Sequence, residues 1–320
     1  MILSNAELLD HLYGYIRFEE AEGYIFPKRF TKKQRDIVVS RKFSPKQDAT
    51  SSMFIEFFTD ANEISFDFFI CPGSNKECFN IDVLENGINI FNYHHDASDE
   101  KGRLLINLEN TGGKLVTIYL PNLAGIGIKD FCVSGNIKKH QRTLKILALG
   151  DSITQGYITQ HPYVTYVNMI AKSLDAYVLN QAIGGDVFFD GNLDENLNFN
   201  PDIITVAYGT NDWSHEADVK ANALNYFIKL RKIYPDKKIF ALLPIFRGGI
   251  KGDIRNGYSL EDIRGQIKAA AEKNNIIVIN CKNFIHHHKD YFWDKTLHPN
   301  ELGFVFYAQG LLKEMEKHLL

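Results

Sequence analysis

Five nearly continuous apolar segments in the second half of the chain constrain its fold more than any other sequence feature. They are Leu144–Leu149, Tyr177–Ile183, Ile203–Tyr208, Lys238–Ile245 and Ile276–Asn280. Strands of a parallel sheet that is covered on both faces are apolar along their whole length. The stretches between them have helical periodicity, as in Val219, Ala223 and Phe227. Alternating strands and helices predict a five-stranded parallel sheet in an α/β/α sandwich over residues 139–320.

The first half of the chain has a different pattern, in which short strands are separated by turns. Six strands are predicted: Ser52–Phe58, Glu63–Ile70, Phe79–Leu84, Gly87–Tyr93, Arg103–Leu108 and Lys114–Leu120. Asn86-Gly87 favours a tight hairpin between two of them, because both turn positions need positive φ. Regularly spaced strands predict an all-β, jelly-roll-like sandwich over residues 1–138. The basic run from Lys138 to Arg142 is then expected to be a solvated linker.

Length and charge restrict the class of protein further. A chain of 320 residues exceeds one typical core and suits two domains. Its formal net charge of -3 argues against a nucleic-acid partner, which would need clustered Lys and Arg. Residues Met1 to Tyr15 contain no apolar signal-peptide core, and no apolar stretch reaches membrane-spanning length. A cytoplasmic protein without a membrane partner is therefore expected, and its oligomeric state stays open.

Four short motifs follow strands of the predicted parallel sheet. In order they are Gly150-Asp151-Ser152-Ile153, Gly184-Gly185-Asp186, Gly209-Thr210-Asn211-Asp212 and Asp294-Lys295-Thr296-Leu297-His298. Each has an ordinary explanation by itself, since Ser152 suits a helix cap and the glycines suit turns. Ligands of open parallel sheets bind at the carboxyl ends of the strands. The order and placement of all four motifs therefore predict a catalytic site at that edge.

These residue types supply what nucleophilic catalysis by a serine requires. Ser152 is the expected nucleophile, and His298 is the expected base that takes its proton and gives it to the leaving alcohol. Asp294 would fix the tautomer of the imidazole and stabilise the imidazolium. The backbone N–H groups of Ser152 and Gly185, with the side-chain amide of Asn211, would form the oxyanion hole.

With these motifs the chain resembles the GDSL/SGNH hydrolase superfamily over about residues 144–320. The first motif resembles block one of that family, Gly185 the glycine of block two, the Asn211 motif block three, and Asp294 with His298-Pro299 block four. The resemblance implies a flavodoxin-like α/β/α domain that hydrolyses esters, thioesters or acetyl groups without a metal. One departure is that three residues separate Asp294 from His298, whereas two are commonest in the family. Because some relatives orient the histidine with backbone carbonyls instead, the role of Asp294 stays open here.

A weaker resemblance concerns the layout of the whole chain. A jelly roll followed by an SGNH domain is the arrangement of certain carbohydrate esterases that remove acetyl groups from saccharides. By this architectural analogy, the expected substrate is a small-molecule or saccharide ester with a small acyl group, acetyl in particular. Trp213 and Trp293 flank the motifs, and each is either a wall of the substrate pocket or an ordinary core residue.

Two other functions stay open. A GDSL-type lipase, lysophospholipase or thioesterase would use the same catalytic groups on longer acyl chains. Alternatively, the first domain binds carbohydrate and the second has lost its activity. No metal or cofactor is expected, since the consecutive side chains of His286-His287-His288 cannot easily converge on one ion and no carboxylate spacing accompanies them.

Overall fold

The structure is a computed structural model that describes residues 1–95, 99–109 and 112–319. The chain divides into two compact units. The first comprises Met1–Thr143 with the short segments Thr159–Tyr163 and Tyr177–Asn180, and the second comprises Leu144–Ile158, Val164–Ala176 and Gln181–Leu320. No helix within the described ranges has both the length and the apolar character that crossing a membrane requires.

Two antiparallel sheets form the first unit. Its helices are α1 (Asn5–His11) and α2 (Lys32–Ser40). Its strands are β1 (Leu12–Tyr13), β2 (Arg17–Ala21), β3 (Tyr24–Lys28), β4 (Phe54–Thr59), β5 (Glu63–Cys71), β6 (Phe79–Glu85), β7 (Ile88–His95), β8 (Lys101–Asn107), β9 (Lys114–Tyr119), β10 (Gly125–Val133) and β11 (Ile137–Lys139). One sheet has the order β1-β4-β9-β6-β7 with β11 paired to β4, and the other has the order β2-β3-β10-β5-β8. Apolar side chains of both sheets share one core, so the predicted jelly-roll-like β-sandwich is confirmed.

The six predicted strands are present as β4 to β9, with ends that differ by at most two residues. The hairpin between β6 and β7 turns at Asn86 and Gly87, whose φ angles are 49° and 82°. Positive φ at both central residues is the property that the Asn-Gly pair was expected to supply.

The sequence pattern did not reveal β10, although it is central to its sheet and pairs with β3 and β5. Glycine is depleted in strands, and this strand contains Gly125 and Gly127. At Gly127 a Cβ would lie 2.4 Å from Cε1 of Phe26. The absence of a side chain at Gly127 therefore makes room for the ring of Phe26. The glycine that made the segment look unlike a strand is required for the packing of this strand.

The basic run after β10 is not the solvated linker that was expected. Ile137–Lys139 forms β11, which pairs with β4. Beyond it, the guanidinium of Arg142 donates to both carboxylate oxygens of Glu56, at 2.8 and 2.5 Å, and Nδ1 of His140 lies 2.8 Å from Oε1 of the same carboxylate. Glu56 is fully buried within the first unit, so it can be accommodated only with cationic partners. The basic residues of the run supply them.

The predicted five-stranded parallel sheet is confirmed. Its strands are β12 (Leu144–Gly150), β13 (Ala176–Asn180), β14 (Ile203–Ala207), β15 (Lys238–Leu243) and β16 (Ile277–Asn280), in the order β13-β12-β14-β15-β16. The helices are α3 (Ser152–Gln155), α4 (Tyr166–Ser173), α5 (Thr210–Ser214), α6 (Val219–Ile233), α7 (Leu260–Glu272) and α8 (Glu301–Leu319). Helix α6 packs against α7, and α4 packs against α8. This alternation of buried strands and amphipathic helices is the flavodoxin-like arrangement expected from the sequence.

The ion pair of Glu56 makes a stability prediction. Replacing Glu56 by Gln leaves the largely buried Arg142 without its counter-ion, so we expect the free energy of unfolding to fall by about 3–5 kcal/mol. Burial alone would raise the pKa of Glu56, but the hydrogen bonds from Arg142, Thr117 and His140 hold it below its ordinary value of 4.5. The stabilisation is therefore present above pH 4.5 and is lost as the pH falls through the lower pKa of the folded state.

Urea unfolding of both proteins between neutral and acidic pH measures this difference. Glu63→Gln is the control, because Glu63 is exposed and its substitution should change the unfolding free energy by less than about 0.5 kcal/mol. If the free energy of unfolding of Glu56→Gln at neutral pH fell by less than about 1 kcal/mol, the stabilising role of the buried ion pair between Glu56 and Arg142 would be contradicted.

Candidate active site

Ser152 stands at the carboxyl end of β12, where the chain turns into the short helix α3. The side chain of Asp151 caps this helix by accepting the N–H of Ile153 at 3.0 Å. Ser152 is the first helical residue, so its own N–H has no acceptor within the helix. Gly156 ends the helix in the left-handed conformation, with φ of 88°. This tight strand–helix turn presents both the hydroxyl and the N–H of Ser152 at the edge of the sheet.

His298 and Asp294 complete a chain of hydrogen bonds from Ser152. The distance from Ser152 Oγ to His298 Nε2 is 2.9 Å, and that from His298 Nδ1 to Asp294 Oδ2 is 2.7 Å. These are the contacts that a nucleophile, its base and an orienting carboxylate require. The structure thus brings together the three side chains that the sequence nominated, although their catalytic roles stay predictions.

The unusual spacing between Asp294 and His298 is accommodated by a compact turn. The Oδ1 atom of Asp294 accepts the backbone N–H groups of Thr296, Leu297 and His298 at 3.0, 2.7 and 3.1 Å. Lys295 adopts the left-handed conformation, with φ of 67°. One oxygen of the carboxylate therefore holds the turn, and the other is free to accept the imidazole N–H. The additional residue relative to the commonest family spacing lies within this turn.

Electrostatic effects keep this pair in the form that base catalysis needs. Burial alone would raise the pKa of Asp294, but the hydrogen bonds from Leu297, Thr296 and His298 lower it to about 2. For His298, burial lowers the pKa below its ordinary value, and this effect outweighs the opposing attraction of Asp294. At neutral pH the carboxylate is then ionised and the imidazole is neutral, so the imidazole is able to accept a proton.

The three expected oxyanion donors lie on segments that contact one another. A Cβ placed on Gly184 would be 3.6 Å from the Cβ of Ser152, so the segment after β13 runs beside the nucleophile. Gly185 itself has φ of 87°, a conformation that favours glycine. At the start of α5, the side-chain amide of Asn211 donates to the carbonyl of Asp186 at 3.1 Å. This bond uses one amide hydrogen and leaves the second for a substrate oxygen.

Two buried aspartates, Asp151 and Asp212, adjoin Ser152 and Asn211 in sequence. Burial raises the pKa values of Asp151 and Asp212 to about 7 each, and the neighbouring carboxylate of Asp186 adds to both shifts. Asp212 lies within α5, and its Oδ1 accepts the N–H of Phe188 at 3.0 Å. Both residues therefore organise the backbone around the site.

The two tryptophans occupy opposite environments. Trp213 is 1% exposed, and its indole N–H donates to the carbonyl of Tyr258 at 3.0 Å. It belongs to the core and presents no open ring face to a substrate. Trp293 is 46% exposed and directly precedes Asp294, so a role in substrate binding stays a prediction for this residue alone.

Three further residues at the site were not identified from the sequence. The buried amide of Gln155 accepts the N–H of Gly184 at 2.8 Å, and the ring of Tyr157 lies 4.6 Å from that of His298. Gln155 and Tyr157 follow Ser152 closely in sequence. The available signal for Gln155 was a polar residue in the short buried helix that begins at Ser152. Arg247 belongs to the loop after β15, where no motif marks it.

The three consecutive histidines have different neighbours. His286 packs against Tyr291 and Phe306, His287 stacks on Phe246, and His288 caps a short 3-10 helix by accepting the N–H of Asp290. In the described part of the chain, no group of three His, Cys, Asp or Glu side chains is arranged to hold a metal ion.

Comparison with known proteins agrees with the motifs. Residues 148–304 match the model of the GDSL-like lipase/acylhydrolase family. This segment contains all four motifs, so the resemblance noted in the sequence is confirmed and the chain is a carboxylic ester hydrolase. No curated protein matches the chain in sequence.

Several solved structures share the fold over nearly the whole chain. The salicylyl-acyltransferase SsfX3 from a tetracycline biosynthetic pathway has a TM-score of 0.83 at 17% identity, covering 96% of this chain and 94% of that one. A family two carbohydrate esterase from Clostridium thermocellum, in complex with cellohexaose, has a TM-score of 0.67 at 16% identity, covering 96% and 99%. An acetyl xylan esterase from the rumen bacterium Butyrivibrio proteoclasticus has a TM-score of 0.65 at 15% identity, covering 99% and 96%. At these identities the similarity shows the fold alone.

The contacts of Asp294 predict the effect of removing its charge. In Asp294→Asn we expect kcat/KM for an ester to fall by about a thousandfold or more, because the amide no longer fixes the required tautomer. Activity of the wild type should rise with pH through a midpoint below the ordinary pKa of histidine, since neutral His298 is the active form. The residual activity of the variant should have a still lower midpoint, because the carboxylate raises the pKa of His298.

The pH dependence of kcat/KM for both proteins checks this prediction. Asp290→Asn is the control, since Asp290 lies on the same segment and is exposed. Equal activity of the Asp294 and Asp290 variants would mean that backbone groups orient His298 without the carboxylate.

Proposed function

Because residues 148–304 form a domain of the GDSL-like lipase/acylhydrolase family, we propose that this enzyme removes small acyl groups, acetyl in particular, from carbohydrates. The observation that carries the proposal is the hydrogen-bonded series from Ser152 through His298 to Asp294, with distances of 2.9 and 2.7 Å. A serine hydroxyl is a weak nucleophile unless such a base adjoins it.

The geometry supports an acyl-enzyme mechanism. Ser152 Oγ attacks the ester carbonyl while its proton passes to His298 Nε2, and Asp294 stabilises the imidazolium that forms. The negative oxygen of the tetrahedral intermediate accepts hydrogen bonds from the N–H groups of Ser152 and Gly185 and from the amide of Asn211. The alcohol then leaves with the proton from His298. Water, deprotonated by the same imidazole, releases the acid from the acyl-enzyme by the reverse series of steps.

Two observations support a saccharide as the alcohol. The β-sandwich of the first unit accompanies the hydrolase domain, and the carbohydrate esterases named above share the fold over at least 96% of this chain. Near the catalytic groups, the exposed Trp293 offers an indole face of the kind on which sugar rings stack. A bound sugar would thereby be held beside His298, which must protonate its oxygen.

The alternatives use the same residues differently. A lipase, lysophospholipase or thioesterase would carry out the same acyl-enzyme chemistry on a long acyl chain. A carbohydrate-binding protein with a lapsed hydrolase domain would have no activated serine. Acyl-chain preference separates the esterase from the lipase, and reaction with a fluorophosphonate, which labels only an activated serine, separates both from the binding protein.

Hydrolysis of p-nitrophenyl acetate, butyrate and octanoate by the wild type and by Ser152→Ala tests the proposal. We expect the acetate to have the highest kcat/KM and the alanine variant to lose at least about a thousandfold. Ser173→Ala is the matched control, because Ser173 is an exposed serine at the end of α4 and should leave the rates unchanged. Release of acetate from acetylated xylan and from acetylated monosaccharides then identifies the alcohol.

Faster turnover of the octanoate by a wide margin would replace the acetyl esterase with a lipase. Absence of Ser152-dependent turnover, together with absence of fluorophosphonate labelling and with binding of glycans, would favour the binding protein.

A further inference from the structure

Arg247 belongs to the loop that connects β15 to α7. This loop lies against the turn of residues 294–298, here termed the catalytic turn. The N–H of Gly248 donates to the carbonyl of Thr296 at 2.7 Å, and a Cβ on Gly248 would lie 3.3 Å from the Cα of Thr296. Thr296 stands between Asp294 and His298 within the turn. The loop therefore brings Arg247 to the side of the site on which His298 lies.

Arg247 also contacts the segment that carries Asn211. Its Nη1 donates to the hydroxyl of Ser214 at 2.6 Å and to the hydroxyl and carbonyl oxygens of Thr210 at 3.2 and 3.3 Å. Thr210 directly precedes Asn211. The guanidinium is thus fixed on the segment that carries Asn211, while the next residue, Gly248, contacts Thr296, and all three acceptors of the guanidinium are neutral oxygens.

Arg247 and a second arginine, Arg255, both pack against the ring of Trp213. The guanidinium carbons of Arg247 and Arg255 are 5.3 and 4.8 Å from the ring of Trp213, and Arg255 donates to the carbonyl of Ser214 at 3.2 Å. Burial first, and then repulsion from Arg255, lower the pKa of Arg247, although arginine stays protonated. Two positive charges are therefore held close together by one buried indole.

No carboxylate of the described residues forms an ion pair with either arginine. Asp294 and Asp151 attract Arg247 at longer range, but Asp294 is bound to His298 and Asp151 caps α3. Within the described chain, the Nε and Nη2 groups of the half-buried Arg247 donate to no acceptor. Neither atom is among the buried polar atoms without a partner, so solvent reaches both, and a ligand at this position can accept hydrogen bonds from a guanidinium that has no counter-ion among the described residues.

We propose that Arg247 binds a carboxylate carried by the alcohol part of the ester substrate, with Arg255 strengthening the positive potential. The inference rests on the proposed esterase function and narrows its substrate to an acetylated alcohol that bears an acid group, such as an acidic sugar. Acetyl carries no charge, so the carboxylate belongs to the alcohol, which leaves on the side of His298. The planar guanidinium matches a carboxylate in a two-hydrogen-bond arrangement.

The test compares two esters that differ only in charge, p-acetoxybenzoate and its neutral amide, p-acetoxybenzamide. The measured quantity is the ratio of kcat/KM for the anion to that for the amide, which cancels effects common to both substrates. In Arg247→Gln we expect this ratio to fall on the order of 10- to 100-fold, as for a lost hydrogen bond between charged groups. Lys251→Gln is the matched control, because it removes an equal charge from an exposed residue of the same loop and should leave the ratio within about twofold.

A ratio unchanged in Arg247→Gln would overturn the carboxylate site while leaving the esterase intact. An equal loss for both esters would also overturn it, since Arg247 would then only position Thr210 and Asn211. If the wild type hydrolysed neither ester, the esterase proposal and the carboxylate site would fail together.

A measurement on the wild type alone covers the case in which Arg247→Gln does not fold. The product p-hydroxybenzoate should inhibit at least about tenfold more strongly than p-hydroxybenzamide, because only the acid can pair with Arg247. Equal inhibition by the two products would overturn the proposal.

Discussion

Parallel pairing of β12 with β14, of β14 with β15 and of β15 with β16 is the constraint on which the candidate site depends. Parallel strands bring their carboxyl ends to one edge, so segments distant in sequence start their loops side by side. Ser152 begins α3 after β12, Asn211 is the second residue of α5 after the neighbouring β14, and the segment of Gly185 follows β13. His298, 146 residues after Ser152, reaches the hydroxyl at this edge. The register of the sheet thus assembles the chemistry before any side chain is considered.

Local environment then gives similar carboxylates different roles. Asp294 accepts three backbone N–H groups and an imidazole, and its pKa falls to about 2. Asp151 and Asp212 are buried beside other carboxylates, and their pKa values rise to about 7. Asp294 is held as an anion next to His298, whereas Asp151 and Asp212 accept the backbone N–H groups of Ile153 and Phe188. Hydrogen bonds to the charged form and desolvation are the opposing causes. The two arginines on Trp213 carry charges that have no ion-pair partner among the described residues.

In the first unit, the sequence was informative where a residue has one dominant local requirement. Asn86-Gly87 specified a hairpin because few other pairs adopt positive φ at both positions. It was uninformative where distant contacts decide. Gly127 appears unfavourable in a strand until the ring of Phe26 is placed against it. Arg142 appears to belong to a solvated linker until Glu56, 86 residues earlier, is found buried beside it. The residues next to Gly127 and Arg142 in sequence do not indicate that Phe26 and Glu56 are their partners.

By itself, the sequence determined the two kinds of domain, the family of the second and the five residues nominated for catalysis and oxyanion binding. It did so because strand periodicity and the order of four short motifs are local properties that survive without coordinates. Only the tertiary structure decided that Trp213 is core and that Asp294 meets His298 despite its spacing. Only the structure placed Arg247 beside the catalytic turn. Burial, turn geometry and unpaired charge each depend on residues far apart in the chain, and those neighbours exist only once the chain has folded.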